Sequence, residues 1–238
     1  MKVCIIIPTL DEAGTIDILC TGIHETIPSS RILVVDDNSN DGTIEKIQAL
    51  MEQGLPITLI VRPNRMGIGS AHKFGLDWAF VNRFDLAITM DADLTHNPQN
   101  LPSMINESSN FDIVVGSRFV PGGGLENWSI SRRLLTSVGH LLTKTALRFP
   151  FDASAGFRAY NLSSHLIKTV YEAPSDSYSF FLESMTLLVR SGYSIGEIPV
   201  KLPKRTYGSS KMQLSDIVQS VKQLSWAARQ RSRTKFGD

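Results

Sequence analysis

Five short apolar runs, at 3–7, 32–35, 57–61, 86–90 and 113–115, alternate with stretches of helical spacing at about 12–26, 42–53, 69–82 and 98–108. Turn-forming residues stand at the joins. This alternation leaves a chain few architectures. It predicts βαβ units, and therefore a mainly parallel central sheet with helices on both faces. Ligands of open sheets collect beyond the carboxyl ends of the strands, so the residues that follow each run carry the functional information.

Those residues are polar, acidic or glycine-rich. Pro8-Thr9-Leu10-Asp11-Glu12 follows the first run and Asp36-Asp37-Asn38-Ser39-Asn40-Asp41-Gly42-Thr43 the second. Arg62-Pro63-Asn64-Arg65-Met66-Gly67-Ile68-Gly69 follows the third, and Asp91-Ala92-Asp93-Leu94-Thr95-His96-Asn97-Pro98 the fourth. Asp41-Gly42-Thr43 suits a tight turn and a helix cap. Asp36 and Asp37, adjacent at a strand end, can accept hydrogen bonds from a base edge or from ribose hydroxyls. Asp91 and Asp93 stand at i and i+2 just before a helix expected to open at Pro98. They can converge on one hard divalent cation, or form an Asp-rich turn bonded to nearby backbone.

Other chemistries are excluded by what is missing. No Gly-x-Gly-x-x-Gly follows the first strand and no Gly-x-x-x-x-Gly-Lys-Ser/Thr is present, which argues against a nicotinamide enzyme and a P-loop ATPase. Gly67-Ile68-Gly69 is expected to let backbone approach a diphosphate or sugar where a helix opens. Cys4 and Cys20 lack metal-ligand spacing and read as buried free thiols. The 238 residues, 42% of them hydrophobic, suffice for one large domain. No apolar run nears the roughly 20 residues of a membrane span and no signal pattern opens the chain, so a cytoplasmic location is expected.

The net charge of +1 conceals an asymmetry. Residues 201–238 hold nine Lys/Arg against two acids, whereas the first 200 hold 15 basic and 21 acidic groups. Such a segment can meet phosphate groups or anionic lipid, or simply solubilise the chain. No nucleic-acid motif accompanies the charge, and none is expected as a partner.

In order, these motifs resemble the family 2 glycosyltransferases of GT-A fold. The resemblance rests on Pro8-Thr9-Leu10-Asp11-Glu12, on Val34-Val35-Asp36-Asp37-Asn38-Ser39 with Asp41-Gly42-Thr43, on Arg65-x-Gly67-Ile68-Gly69-x-Ala71, and on Asp91-Ala92-Asp93-Leu94-x-His96-x-Pro98. Gly116-Ser117-Arg118-Phe119, Gly122-Gly123, Trp128, Arg132 and Asp152-Ala153-Ser154-Ala155-Gly156-Phe157-Arg158-Ala159-Tyr160 narrow it to the dolichol-phosphate (polyprenol-phosphate) mannose synthases. It spans about residues 3 to 212.

The resemblance implies transfer of mannose from GDP-mannose to a polyprenyl (dolichyl) monophosphate with inversion. Pro8, Leu10, Glu12 and Asp37 would line the guanosine pocket, with Asp36 beside it. Asp91 and Asp93, flanking Ala92 at the donor site, would hold Mg²⁺ or Mn²⁺ on the diphosphate. Arg118, Arg132, Arg205 and Lys211 are the candidate cations for phosphate groups, a solvated charge pair being the alternative for any one of them, and Arg205 and Lys211 would belong to a loop that could close over the diphosphate. Thr136 keeps the hydroxyl of a family serine, and Glu183 would flank the acceptor cavity or be a helix-face acid satisfied by Arg190 or solvent. The chain departs from the pattern at Leu10, Asp11, Ala155 and Thr95, the last standing where some relatives have a third metal ligand, Gln.

Two further segments bear on membranes. Ile130, Leu134, Leu135, Val138, Leu141, Leu142 and Ala146 fall on one helical arc opposite Arg132, Arg133, His140 and Lys144. That arc either packs on the core or lies in a headgroup plane. Leu214, Ile217, Val218, Val221, Leu224 and Ala228 form a second stripe, with Trp226 among basic residues. Contact with the cytoplasmic face of a membrane would then come from such helices or from a membrane-anchored partner. The expected organisation is a catalytic domain at 1–212 and a basic amphipathic helix and tail at 213–238, with a flexible loop at Pro121-Gly122-Gly123-Gly124. The alternatives are a family 2 transferase using UDP-glucose or another sugar nucleotide, and a non-catalytic, membrane-recruited subunit that binds a sugar nucleotide.

Overall fold

The computed structural model describes residues 1–147 and 149–203. The first half follows the expected alternation: β1 (Val3–Thr9), α1 (Ile16–Thr26), β2 (Arg31–Asp36), α2 (Thr43–Glu52), β3 (Ile57–Val61), α3 (Ile68–Val81) and β4 (Leu86–Thr89). A 3-10 turn at Pro98–Asn100 leads into α4 (Leu101–Glu107), then β5 (Ile113–Ser117) and β6 (Gly124–Glu126). Next come α5 (Ile130–Leu147), β7 (Arg158–Asn161), α6 (Ser164–Tyr171), α7 (Phe180–Arg190), β8 (Ile195–Pro199) and β9 (Lys201–Pro203).

The main sheet has seven strands in the order β3-β2-β1-β4-β7-β5-β8. All neighbours are parallel except β7, which runs antiparallel to β4 and β5. The alternation of side chains along each strand feeds two cores. Val3, Ile5 and Ile7 of β1 join Ile32 and Val34 of β2 under α1, α2 and α4. Cys4 and Ile6 join Leu33 and Val35 under α3, α6 and α7. This is why the strands read as unbroken apolar runs, each fully buried isoleucine contributing about 1.5–3 kcal/mol. Cys4 and Cys20 are free and buried, and burial pushes both thiols up to about 12.

The antiparallel strand sets the active end of the sheet. Because β7 runs against β4, with Arg158 opposite Thr89, the segment entering β7 arrives beside the residues leaving β4. The Thr89 hydroxyl donates to the Gly156 carbonyl at 2.7 Å and ties the two together.

At Pro121-Gly122-Gly123-Gly124, where a flexible loop is expected, the backbone is hydrogen-bonded. Gly122 takes φ +91°, the Gly123 N–H donates to Val120 O at 2.9 Å, and the Gly124 N–H donates to Val200 O at 3.0 Å, so the glycines make a bonded turn into β6. A Cβ on Gly123 would lie 2.5 Å from Ser117 O, which is why a side chain is excluded there. β6 pairs in parallel with β9. The helix and tail expected at 213–238 lie outside the described residues.

Candidate active site

The carboxyl ends of β1, β2 and β4 and the start of α3 enclose a cavity of about 340 Å³, walled among others by Pro8, Leu10, Glu12, Asp37, Asp91 and Asp93. Its floor is tied together across the sheet. The Asp11 N–H donates to Ser39 Oγ at 2.8 Å, and the Glu12 N–H donates to Thr43 Oγ1 at 2.9 Å. Residues beyond β1 are thereby fastened to those beyond β2.

The two acids after β4 are fixed by their own turn. Thr95 donates its N–H and its hydroxyl to Asp93 Oδ1, at 3.0 and 2.6 Å, which sets the plane of a buried carboxylate. Thr95 therefore orients Asp93. The Asp91 N–H donates to His96 Nδ1 at 2.9 Å, so the ring proton is assigned to Nε2, 3.9 Å from Asp91 Oδ2. The His96 ring stacks on Phe157 with centroids 5.0 Å apart. His96 thus holds the backbone of Asp91, a role whose only signal in the sequence is its spacing from the acids. Opposite, a Cβ on Gly156 would lie 3.4 Å from Asp91 Oδ1, so the segment entering β7 borders the pair. Among the described residues no group of three His, Cys, Asp or Glu could hold a metal ion. Two hard carboxylates without nitrogen or sulfur donors fit Mg²⁺ or Mn²⁺ whose remaining positions are filled by water or a diphosphate.

Asp36 and Asp37 are already bonded within the chain. Fully buried Asp36 accepts the N–H and hydroxyl of Ser39, both at 2.7 Å, and the Thr9 hydroxyl at 2.7 Å. Asp37 lines the cavity, yet its Oδ1 pairs with the Arg62 guanidinium and its Oδ2 accepts the N–H groups of Met66 and Gly67 at 3.1 and 3.0 Å. Arg62 also donates to Ser70 Oγ and Gly67 O. In this arrangement Asp37 anchors the turn that opens α3.

The glycines of that turn also meet a packing constraint, and Gly67 lines the cavity. A Cβ on Gly67 would lie 2.4 Å from Asp176 O, and one on Gly69 would lie 2.6 Å from Phe180 Cβ. Their absent side chains admit the 175–178 segment, whose Asp176 carbonyl accepts the Gly69 N–H at 2.8 Å. Lys73 adds an ion pair to Asp176 at 3.0 Å. Ser177 and Tyr178 are thereby set into the cavity wall, a contribution no local pattern announces. Glu183 supports this segment from beneath, Oε2 accepting the Ser175 N–H at 2.7 Å. It is fully buried, burial pushes its carboxyl up, and it is not among the residues lining this cavity, so the reading of a helix-face acid satisfied by solvent is corrected.

Arg118 faces Asp152. Its Nε and Nη2 donate to the two Asp152 oxygens at 2.7 Å each, and Nη2 also donates to Ser154 Oγ. Burial raises the Asp152 carboxyl, but the Arg118 charge and hydrogen bonds outweigh it and hold the group below the usual carboxylate range. Buried Arg158 braces the same segment by donating to Ala153 O and Ala155 O, at 2.9 and 2.7 Å, and to Phe181 O at 2.8 Å. Half-buried Thr136 stands on α5 one turn beyond Arg132. The Arg132 side chain, Arg205 and Lys211 lie outside the described residues.

The apolar arc of α5 faces solvent. Ile130 is 84% exposed, and Leu134, Val138, Leu141 and Leu142 are exposed as well, so among the described residues of this arc these five do not pack on the core. The Leu135 and Ala146 side chains lie outside the described residues. No described helix is long and apolar enough to cross a membrane.

Residues 4–165 match the description "Glycosyl transferase family 2". An undecaprenyl-phosphate mannosyltransferase from Micrococcus luteus is 32% identical over 213 residues, covering 89% of this chain and 88% of that protein. A polyprenol monophosphomannose synthase from Mycolicibacterium smegmatis is 30% identical over 234 residues, covering 97% and 88%. Among solved structures, the fold resembles glucosyl-3-phosphoglycerate synthase from Mycobacterium tuberculosis in complex with Mn²⁺, UDP and glucosyl-3-phosphoglycerate. That likeness has a TM-score of 0.66 at 17% identity and covers 96% of this chain and 80% of the other. A mannosyltransferase from Pyrobaculum calidifontis in complex with GDP-Man and Mn²⁺ gives a TM-score of 0.64 at 17% identity, covering 100% and 66%. At these identities the structural likeness establishes the fold, a GT-A-like sheet.

Proposed function

This chain belongs to glycosyl transferase family 2, and on that premise we propose that it moves mannose from GDP-mannose to a polyprenyl monophosphate, with inversion and with Mg²⁺ or Mn²⁺ at Asp91 and Asp93. The observation that carries the reading is the meeting of Asp91, which with Asp93 lines the cavity, with the Gly156 segment braced by Arg118, Asp152 and Arg158. The polyprenol-phosphate mannosyltransferases that match most of the chain support the acceptor and the sugar. The GDP-Man and Mn²⁺ complex on the same fold supports the donor and the cation.

In this reading Pro8, Leu10 and Glu12 form one wall of the nucleoside end. Asp37 contributes by anchoring the turn beside it, and Asp36 by bonding Thr9 and Ser39 beneath it. A bound cation supplies charge neutralisation for the departing diphosphate. Asp91 and Asp93 hold it, Ala92 sets their spacing, and His96 and Thr95 fix their orientation. An acceptor phosphate is already an oxyanion near pH 7, so the protein needs to align it with the anomeric carbon rather than to deprotonate it. Arg118, with Arg132, Arg205, Lys211 and Thr136, is proposed to receive phosphate oxygens, and Arg118 would do so from its pairing with Asp152. Catalysis is assigned to residues 1–212, and the basic charge of 213–238 suits anionic lipid. The exposed apolar arc of α5 supports contact with a lipid surface, where the acceptor resides.

The test offers labelled GDP-mannose and labelled UDP-glucose with a polyprenyl phosphate and Mn²⁺ and follows label into the organic phase. Label from GDP-mannose is expected, lost on chelation and in Asp91→Asn. Label from UDP-glucose alone overturns the donor. Full turnover in Asp91→Asn removes the acid pair from the mechanism. Nucleotide binding without transfer from either donor would favour the non-catalytic subunit.

A further inference from the structure

We propose that Arg65 is the residue that selects the base, by presenting its guanidinium fork to the O6 and N7 edge of guanine. The inference rests on the guanosine-diphosphate reading above. It begins from the carboxylates: Asp37, the acid at the nucleoside end, already accepts Arg62 on one oxygen and the N–H groups of Met66 and Gly67 on the other. With about four lone-pair sites per carboxylate, little capacity is left for a base. Those same bonds fasten the Met66 and Gly67 backbone immediately after Arg65. Its side chain lines the cavity, is exposed, and makes no hydrogen bond or ion pair among the described residues.

Position assigns the ligand group. Arg65 follows β3, and the strand order β3-β2-β1-β4 puts three strand spacings, about 14 Å, between the ends of β3 and β4. A diphosphate held at Asp91 and Asp93 therefore leaves the base, rather than phosphate, near Arg65. Guanine offers two adjacent acceptors, O6 and N7, matching the donor fork of arginine, whereas adenine places an amino donor beside N7 and uracil lacks the second ring. A cation at this place thus favours guanine over both.

Calorimetric titration of the full chain with GDP, 7-deaza-GDP and UDP in the presence of Mn²⁺ tests the assignment, alongside Arg65→Met. Removing N7 deletes one of the two acceptors while leaving phosphates and ribose intact. The wild type is expected to bind GDP about tenfold more tightly than 7-deaza-GDP, and Arg65→Met to lose that preference together with about tenfold in GDP affinity. Equal weakening of GDP and 7-deaza-GDP by Arg65→Met would place the cation on phosphate and overturn the proposal. Equal wild-type affinity for GDP and 7-deaza-GDP would overturn it while leaving the donor intact. Binding of UDP but not GDP would remove the donor reading itself, and the base assignment with it.

Discussion

Gly69 is confined by the 175–178 segment on one side and Phe180 on the other, so even a methyl group must displace backbone. Gly69→Ala is expected to lower stability by about 1–3 kcal/mol, read from the urea midpoint, and to weaken GDP binding because Tyr178 shares the displaced wall. A wild-type midpoint would refute the packing account of this glycine. His96→Phe retains a ring over Phe157 but removes the acceptor of the Asp91 N–H. The expected result is a 10–100-fold higher Mn²⁺ requirement, measured as activity against metal concentration, roughly the effect of losing a group that orients a metal ligand. Unchanged metal dependence would show that the Asp91 turn holds its shape alone. Both residues were visible as parts of motifs. Their tasks were not, because a motif records which residues recur near one another and not which surface each one touches.

At the scale of elements, α5 differs from its neighbours. The other long helices bury one stripe against the sheet, as α3 does with Ala71, Leu76 and Ala79, whereas the apolar arc of α5 is turned outward. Leu134→Glu with Leu141→Glu is therefore expected to leave folding stability within about 0.5 kcal/mol, since neither side chain is buried. Sedimentation with anionic vesicles should fall in the same variant. Loss of stability by several kcal/mol, or undiminished vesicle binding, would mean that the arc serves the fold. Periodicity revealed the arc but not its direction, because a helical stripe has the same spacing whether it meets a core or a lipid surface.

For the whole molecule, stability is linked to pH through the second core. His72 is buried between Phe180 and Phe181 with neither ring nitrogen bonded, and burial followed by the charges of Arg158 and His96 depresses it to about 3. Its folded value is lowered, so the unfolded chain takes up the proton first. The stability of the neutral form is present above about pH 6.5 and is lost as pH falls towards 3, by about 1.4 kcal/mol per unit. His72→Leu keeps the apolar packing and removes this linkage, so urea midpoints at pH 7.5 and 5.5 should separate the variant from the wild type by about 1.4 kcal/mol more at the lower pH. Parallel pH profiles would refute the assignment. The sequence alone determined the mainly parallel layered sheet, the five apolar runs that became β1 to β5, and the gathering of acids at strand ends, because apolar periodicity and turn chemistry act over a few residues. Only the tertiary structure decided that β7 enters against β4 and brings Gly156 to Asp91, that Arg62 claims Asp37 across 25 positions, and that Asp152 claims Arg118 across 34. The role of a charged group is set by its nearest counter-charge in space, and these partners meet only once the sheet has assembled.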